Sequence, residues 1–356
     1  MSHNGILSKC AERGHEQVVF FNYPEVGLKL IVGIHNTMRG PALGGCRMRI
    51  YQSEEQAIDD VLRLSEGMTY KSALADLPLG GGKSCLIADP KLSVGREALF
   101  EKLGECLNHL GGRYITAEDM GTSVADMMSI RKVSRYVVGT DPSSGGAGDP
   151  SPWTALGVFH AIRAAVDHGL PGKGGVSGKR VAVQGVGHVG MYLVENLVKA
   201  GAVVTVTDTN PALIAEAKQR FKVESVAPEA IYDVDCDIFA PCAIGQTINP
   251  QTLPRLKCKI IAGAANNQLS DKGVYTLLRE RSIVYCPDFA INSGGVICVC
   301  AELSKDGPSQ AWVQQRVDGI YDTTANILEQ SSRTGSDSEA VAYELAKERI
   351  AAAKSR

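Results

Sequence analysis

Apolar and polar positions follow two rhythms along this chain. The segments VVFFNY (18–23), LKLIVGIHNT (28–37) and CRMRIY (46–51) are β-rich and are separated by turn residues, whereas EEQAIDDVLRLSEGM (54–68) repeats apolar residues at helical spacing behind Ser53, a favoured N-cap. Between the second and third strands, Gly40, Pro41, Gly44 and Gly45 in MRGPALGGCR predict a bend of little side-chain bulk. Further on, KSCLIAD (83–89) reads as a strand, 96–110 as a helix, and RYITAEDMG (113–121) as a strand running into a loop at Asp119. The opening is an α/β layer. From 140 to 151 the chain is dense in Gly, Pro, Ser and Asp, the composition of a loop or domain junction. A helix over 152–169 follows, then a second glycine-rich segment over 171–179.

The clearest local signal comes next, in RVAVQGVGHVGMYLVENLVKAGAVVTVTDTN. A continuous apolar strand runs into Gly185, Gly187 and Gly190 in G-x-G-x-x-G spacing, then a helix, then a second apolar strand ending in Asp208. This pattern predicts a Rossmann βαβ unit. The first glycine permits a tight turn, the second lets the backbone meet a pyrophosphate, and the third lets helix and strand pack closely, while the helix N-terminus offers N–H donors. His188 and Val189 lie inside the motif and belong to the same expected cofactor surface. Asp208 is expected to bond the adenosine ribose hydroxyls and to repel a 2′-phosphate, so NAD is expected rather than NADP; Thr209, Asn210 and Pro211 supply no compensating arginine. Strands over DIFAPCA (237–243) and KIIAGAAN (259–266) end in small or polar residues. Asn266 and Asn267 there are candidates for the nicotinamide carboxamide or a substrate carboxylate, although Asn is also frequent in turns. Helical patterns near 309–330 and over 339–354 complete the chain.

A candidate reaction centre lies in GMTYKSALADLPLGGGKS (67–84). Lys71 and Lys83 flank a polar turn and a triple glycine, the first near a helix end and the second where a strand begins. Two ammonium groups facing one cavity repel, and with loss of water this disfavours charging the second, so one lysine can hold a carboxylate while the other acts as a base. Gly80, Gly81 and Gly82 would let a small substrate approach the backbone. A solvated turn with two surface lysines is the plainer alternative. A phosphate-binding G-x-x-x-x-G-K-[ST] loop is excluded, because its first glycine position holds Leu77. Glu118 and Asp119, at a strand end, are placed to meet a lysine or take a proton; the competing role for Asp119 is to cap the helix beginning near Ser123.

Composition narrows the partners. The 356 residues carry a net charge of −2, with 44% hydrophobic and 21% charged residues. That is too long for one core, about right for two domains, and gives no basic patch for nucleic acid or an anionic membrane outside the short end AAAKSR. No apolar run approaches the ~20 residues that span a bilayer and the N-terminal residues are not signal-like, so a cytoplasmic protein acting on small molecules is expected. Ten cysteines without a C-x-x-C pair and seven histidines without H-x-x-x-H spacing predict neither disulfides nor a metal site.

Taken together, GPALGGCR, GMTYK followed by GGGKS, TAEDMG, QGVGHVG, FAPCA, AGAANNQL and PDFAINSGG occur in the order and approximate spacing of the Glu/Leu/Phe/Val amino acid dehydrogenases, over nearly the whole chain. The sequence resembles the leucine and phenylalanine dehydrogenase branch of that family. The resemblance implies two α/β domains with a cleft between them: residues 1–147 for substrate and oligomerisation, 148–332 for the Rossmann NAD-binding domain, and 333–356 as a C-terminal helix returning to the first domain. It implies reversible, NAD-dependent oxidative deamination of an L-amino acid in a homo-oligomer, an octamer or another dimer-based assembly. Carried over, Lys71 binds the substrate carboxylate, Lys83 is the acid/base that activates water, and Asp119 exchanges a proton with the substrate nitrogen. Thr154 and Asn267 lie near the nicotinamide, with Ala243 and Ile244 close to the cofactor.

Side-chain specificity receives mixed indications. GPALGGCRM, GGGKS and NSGG look more like phenylalanine enzymes, whereas the expected pocket residues Leu43, Ala117, Val296 and Val299 match the leucine-type set. Gly44 and Met68 join them as expected substrate contacts. A methyl on Ala117 and a β-branched Val296 would shorten the pocket, so leucine, valine or isoleucine is expected over phenylalanine, with an effect of about 1–3 kcal/mol. Two other classes fit the residues less well. A nucleotide-binding regulator would have no need of the three intact catalytic positions, and a 2-hydroxy acid oxidoreductase would need a histidine base with an arginine partner, which no pair here supplies.

Overall fold

The computed structural model describes residues 5–170, 175–271 and 273–353, so the glycine-rich segment is seen only from 175 onwards and the basic end only to 353. The first stretch runs α1 (Ile6–Arg13), β1 (Gln17–Tyr23), β2 (Leu28–Asn36), β3 (Ala42–Arg49), α2 (Glu54–Leu74), β4 (Gly80–Ile87), α3 (Arg96–His109), β5 (Tyr114–Glu118) and α4 (Val124–Arg131). These strands form one sheet in the order β1-β2-β4-β3-β5, with β2 antiparallel to both of its neighbours, β1 and β4, and β3 parallel to both β4 and β5. On one face α2 packs Ala57, Ile58, Val61 and Leu62 against Ile31 and Cys85; on the other, α3 and α4 pack Leu99, Phe100, Leu103, Met127 and Ile130 against Leu30, Val32, Cys46 and Leu86. Ser53 caps α2 by accepting the Gln56 N–H, and the helix continues six residues past its expected end at Met68 because Thr69, Ser72, Ala73 and Leu74 remain buried.

Gly44 and Gly45, read as part of a bend, and Gly80, Gly81 and Gly82, read as room for substrate, all lie within strands. A Cβ on Gly44, inside β3, would sit 1.8 Å from the Gly82 carbonyl oxygen, and one on Gly81, inside β4, would sit 2.0 Å from the Thr69 nitrogen of α2. Gly81 therefore lets α2 lie directly on the sheet, while a Cβ on Gly80 or Gly82 would meet the Asn36 carbonyl oxygen at 1.8 Å or the Tyr114 ring at 2.6 Å, so the space beside all three, read as room for substrate, is taken by the protein's own atoms. Only Gly40, with φ +143, serves the turn before β3.

The second stretch runs α5 (Ser151–Gly169), β6 (Arg180–Gln184), α6 (His188–Lys199), β7 (Val203–Thr207), α7 (Pro211–Phe221), β8 (Glu224–Ser225), β9 (Ile238–Pro241), β10 (Ile260–Ile261), α8 (Val274–Glu280), β11 (Val284–Tyr285), α9 (Asp288–Ile291), α10 (Gly294–Cys300), α11 (Gln310–Thr334) and α12 (Ser338–Ala353). Its six strands are all parallel, in the order β11-β10-β9-β6-β7-β8. The order reverses between β6 and β9, the switch point where such sheets bind ligands.

The chain divides into two units. One comprises the residues up to Gly148 with Cys298–Ser309 and the C-terminal residues from Ala346; the other comprises Asp149–Ile297 with Gln310–Leu345. This differs from the expected boundaries in two places, each with a local cause. Glu302 accepts the backbone N–H groups of Gly139 and Ala147, which ties Cys298–Ser309 to the first unit. Within α12, Ser338 donates to the Tyr285 carbonyl of the second unit, whereas Arg349 donates to the Ala73 and Leu74 carbonyls of the first. Among the described residues no helix is long and apolar enough to cross a membrane.

Candidate active site

In the first unit, alternation along β4 turns Gly81, Lys83 and Cys85 toward α2. Lys83 is 7% exposed, and its Nζ lies 2.6 Å from Asp119 Oδ2, just beyond the end of β5. Arg47 of β3 brings Nε to 3.2 Å from the same oxygen. Burial alone would raise the Asp119 carboxyl, but the Lys83 and Arg47 charges overcome it and hold the group down at about 2. The competing role for Asp119 is filled by another residue: Ser123 caps α4 in a reciprocal capping box with Asp126. Asp119 itself donates its backbone N–H to Thr122 Oγ1, which fixes the turn that presents the carboxylate. Glu118 is exposed at the strand end. The charge beside Lys83 is thus a carboxylate at the strand end.

Around this pair, Leu43 lies beside Gly81 in the β3–β4 register and Gly45 beside Ala117 in the β3–β5 register. Leu43 and Ala117 are 1% and 7% exposed, so each offers at most a small apolar patch. A Cβ on Gly45 would lie 2.7 Å from Asp119 Cβ, and one on Gly44 would lie 3.3 Å from Met68 Cγ. Bare backbone there keeps Asp119 and Met68 close to β3. Lys71 is half-buried on the last turn of α2. Val299, on α10, belongs to this unit, while Val296 on the same helix belongs to the other.

The second unit carries the glycine motif at the C-terminal end of β6. Gly185 has φ +97, and a Cβ there would strike Ala243, at the end of β9, at 2.7 Å. A Cβ on Gly190 would meet the Gly185 carbonyl oxygen at 2.1 Å, so strand, turn and helix are in backbone contact. Gly187 instead faces open space: nothing lies within 4 Å of a Cβ built on it, and α6 begins at the next residue, His188, with Val189 behind it. An open face above a helix N-terminus fits a dinucleotide pyrophosphate. Asp208 closes β7, its Oδ2 accepting the Val186 N–H at 2.9 Å and its Oδ1 the Asn210 N–H at 2.8 Å. This ties the carboxylate to the glycine turn.

The remaining expected residues of this unit gather at neighbouring strand ends. Ile244 is 71% exposed despite its size, and Asn266 and Asn267 are exposed after β10. Asn267 takes φ +53, and its carbonyl accepts the Gln246 N–H at 2.7 Å, tying the loops after β9 and β10 together. Asn266 Oδ1 accepts from Asn292 Nδ2 at 2.8 Å. Thr154, on the first turn of α5, bonds the Pro150 carbonyl. Sequence reasoning missed Arg47, Asp60 and Asn292. The first two carry a signal in hindsight: Arg47 alternates with buried Cys46 and Met48, and Asp60 borders the buried stripe of α2.

These features define a two-unit α/β protein with a dinucleotide-type βαβ site in one unit and a buried lysine–carboxylate pair in the other. The chain belongs to the Glu/Leu/Phe/Val dehydrogenase family: residues 15–136 match its dimerisation domain, and residues 145–217 and 212–356 match the Glutamate/Leucine/Phenylalanine/Valine dehydrogenase domain. It is 49% identical to a leucine dehydrogenase of Thermoactinomyces intermedius over 94% of this chain and 91% of that one. It is 43% identical to a phenylalanine dehydrogenase of Caldalkalibacillus thermarum, again over 94% and 91%. The crystal structure of L-tryptophan dehydrogenase from Nostoc punctiforme superposes with a TM-score of 0.86 at 39% identity, covering 98% of this chain and all of the other.

Proposed function

We propose that the protein catalyses the reversible, NAD-dependent oxidative deamination of a branched-chain L-amino acid to the 2-oxo acid and ammonium. The observation that carries this reading is the Lys83–Asp119 pair, buried in the first unit of a chain that also holds the glycine-rich turn and Asp208. When bound, a nicotinamide dinucleotide supplies the hydride acceptor. Gly187 and the N–H groups opening α6 would hold its pyrophosphate, Asp208 its adenosine ribose, and Asn266, Asn267 and Thr154 its nicotinamide end. Lys71 holds the substrate carboxylate and so orients Cα. Asp119, kept ionised by its cationic neighbours, takes a proton from the substrate ammonium, because a hydride leaves Cα only when the nitrogen lone pair is free to form the imine. Lys83, once its own ammonium proton has passed to solvent, takes a proton from the water that adds to the imine carbon; Asp119 returns its proton to the nitrogen, and ammonia departs as the hydroxyl loses its proton and the carbonyl forms.

Leu43, Ala117, Val296 and Val299 line the side-chain pocket in this reading, and their bulk favours leucine, valine or isoleucine. Phenylalanine is the second reading, favoured by the GPALGGCRM and NSGG motifs and by the 43% identical relative. The matched dimerisation domain supports a homo-oligomer built through the first unit. Comparing kcat/KM for leucine and phenylalanine by absorbance at 340 nm tests the substrate: a ratio favouring phenylalanine overturns the pocket argument. Lys71→Ala should raise the leucine KM steeply, and an unchanged KM would remove Lys71 from the site.

A further inference from the structure

Arg47 lies on β3, between the strands that carry Lys83 and precede Asp119, with its side chain only 15% exposed. Its guanidinium spans two carboxylates on different elements: Nε reaches Asp119 Oδ2 and Nη1 reaches Asp60 Oδ2, each at 3.2 Å. Asp60 is itself anchored. Its side chain is 12% exposed on α2, its Oδ1 accepts from Arg63 at 2.8 Å, and its Oδ2 accepts from the Tyr51 hydroxyl at 2.9 Å. A chain of contacts therefore runs from α2 through Asp60 and Arg47 to Asp119 Oδ2, the oxygen that Lys83 also meets.

Resting on the proposed reaction, we infer that Arg47 is a positioning residue: braced by Asp60, it holds the Asp119 carboxylate in place as Lys83 changes partners during turnover. A carboxylate whose sole cationic neighbour were Lys83 would be drawn along whenever that ammonium turned toward water or substrate. A second cation fixed from β3 keeps Asp119 aimed. The planar guanidinium suits this task because it engages two carboxylates at once, which the single point charge of a lysine does not. Exposed ion pairs contribute little, but this one is largely shielded from water on both sides. The same contact adds to the charge that keeps Asp119 ionised.

The test uses the full-length protein with leucine and NAD. Arg47→Ala should lower kcat by about 10- to 100-fold, the scale of a misplaced catalytic group, while NAD binding measured by calorimetry stays within about twofold. Methylguanidinium added to this variant should restore kcat in a saturable way and methylammonium should not. Arg47→Lys should remain several-fold slow, because it reaches one carboxylate at a time, and it carries the test should the alanine variant fail to fold. Asp60→Asn should slow turnover less, and adding it to Arg47→Ala should cost little more, since both act along one line of contacts. A kcat for Arg47→Lys within twofold of the parent, or an Arg47→Ala defect that methylguanidinium leaves untouched, overturns the inference alone. A parent enzyme inactive on every amino acid overturns the proposed reaction with it.

Discussion

Replacing Lys83 by methionine removes one charge while keeping an unbranched side chain of similar length, so its effect reads on the Lys83–Asp119 pair. Asp119 holds its carboxyl at about 2 against the usual 3.8, because the Lys83 and Arg47 charges outweigh burial. At 1.36 kcal/mol per pH unit, that difference corresponds to about 2 kcal/mol in favour of the ionised, folded state. Lys83 is the nearer cation, at 2.6 Å against 3.2 Å, so about 1–2 kcal/mol should be lost in Lys83→Met at neutral pH. The sign of the pH dependence follows. A depressed carboxyl stabilises the fold fully above its unfolded value near 4 and ceases to do so as pH falls through 2. The gap between parent and variant should therefore be constant from pH 7 to about 5 and narrow below 4. Thermal midpoints at fixed protomer concentration measure it, and NADH formation at 340 nm should be lost in the same variant while NAD still binds. Equal midpoints at pH 7 and an unchanged acid limb would mean that the two residues are not paired in solution, and near-normal turnover would remove Lys83 from the chemistry.

Three further perturbations probe other parts of the account. Gly81→Ala puts a Cβ 2.0 Å from the Thr69 backbone nitrogen, which cannot rotate away, so it should destabilise by about 1–3 kcal/mol or more, and an unchanged thermal midpoint would show that α2 does not lie directly on β4. Asp208→Asn should narrow the preference for NAD over NADP by removing repulsion of a 2′-phosphate, and an unchanged kcat/KM ratio would place the acid away from the ribose. His15 is held down to about 4, by burial first and by neighbouring His35 next, so the unfolded chain takes up a proton near 6.5 that the folded chain refuses until about 4. Stability should fall on acidification across that window; His15→Gln should make the fall shallower but not flat, because His35 is lowered as well, and an identical slope would refute it.

How far the chain could be read without coordinates depended on the range of each interaction. The βαβ unit from Arg180 to Asp208 is local: strand, turn, helix and acid follow one another in sequence, so spacing alone predicts them. The carboxylate beside Lys83 is also legible, since Asp119 follows an apolar strand and parallel sheets gather their strand ends. The glycines at 44 and 45 read as a bend and those at 80–82 as room for substrate because turns, ligand space and close packing leave the same mark on a sequence, an absent side chain, and only the neighbours at 1.8 and 2.0 Å tell them apart. Arg47 and Asp60 escaped notice for a related reason. A charged residue at every second strand position looks like a solvated face until a helix 13 residues away in sequence covers it with a carboxylate.

In the proposed reaction, this chain oxidises the amino group of a branched-chain amino acid with NAD as acceptor. Incubating the purified protein with L-leucine and NAD, while following NADH at 340 nm and assaying ammonium in the same samples, tests it most directly. One ammonium should be released for every NADH formed, and both should vanish in Lys83→Ala. NADH formed without ammonium, or formed from a 2-hydroxy acid and from no L-amino acid, would contradict the account.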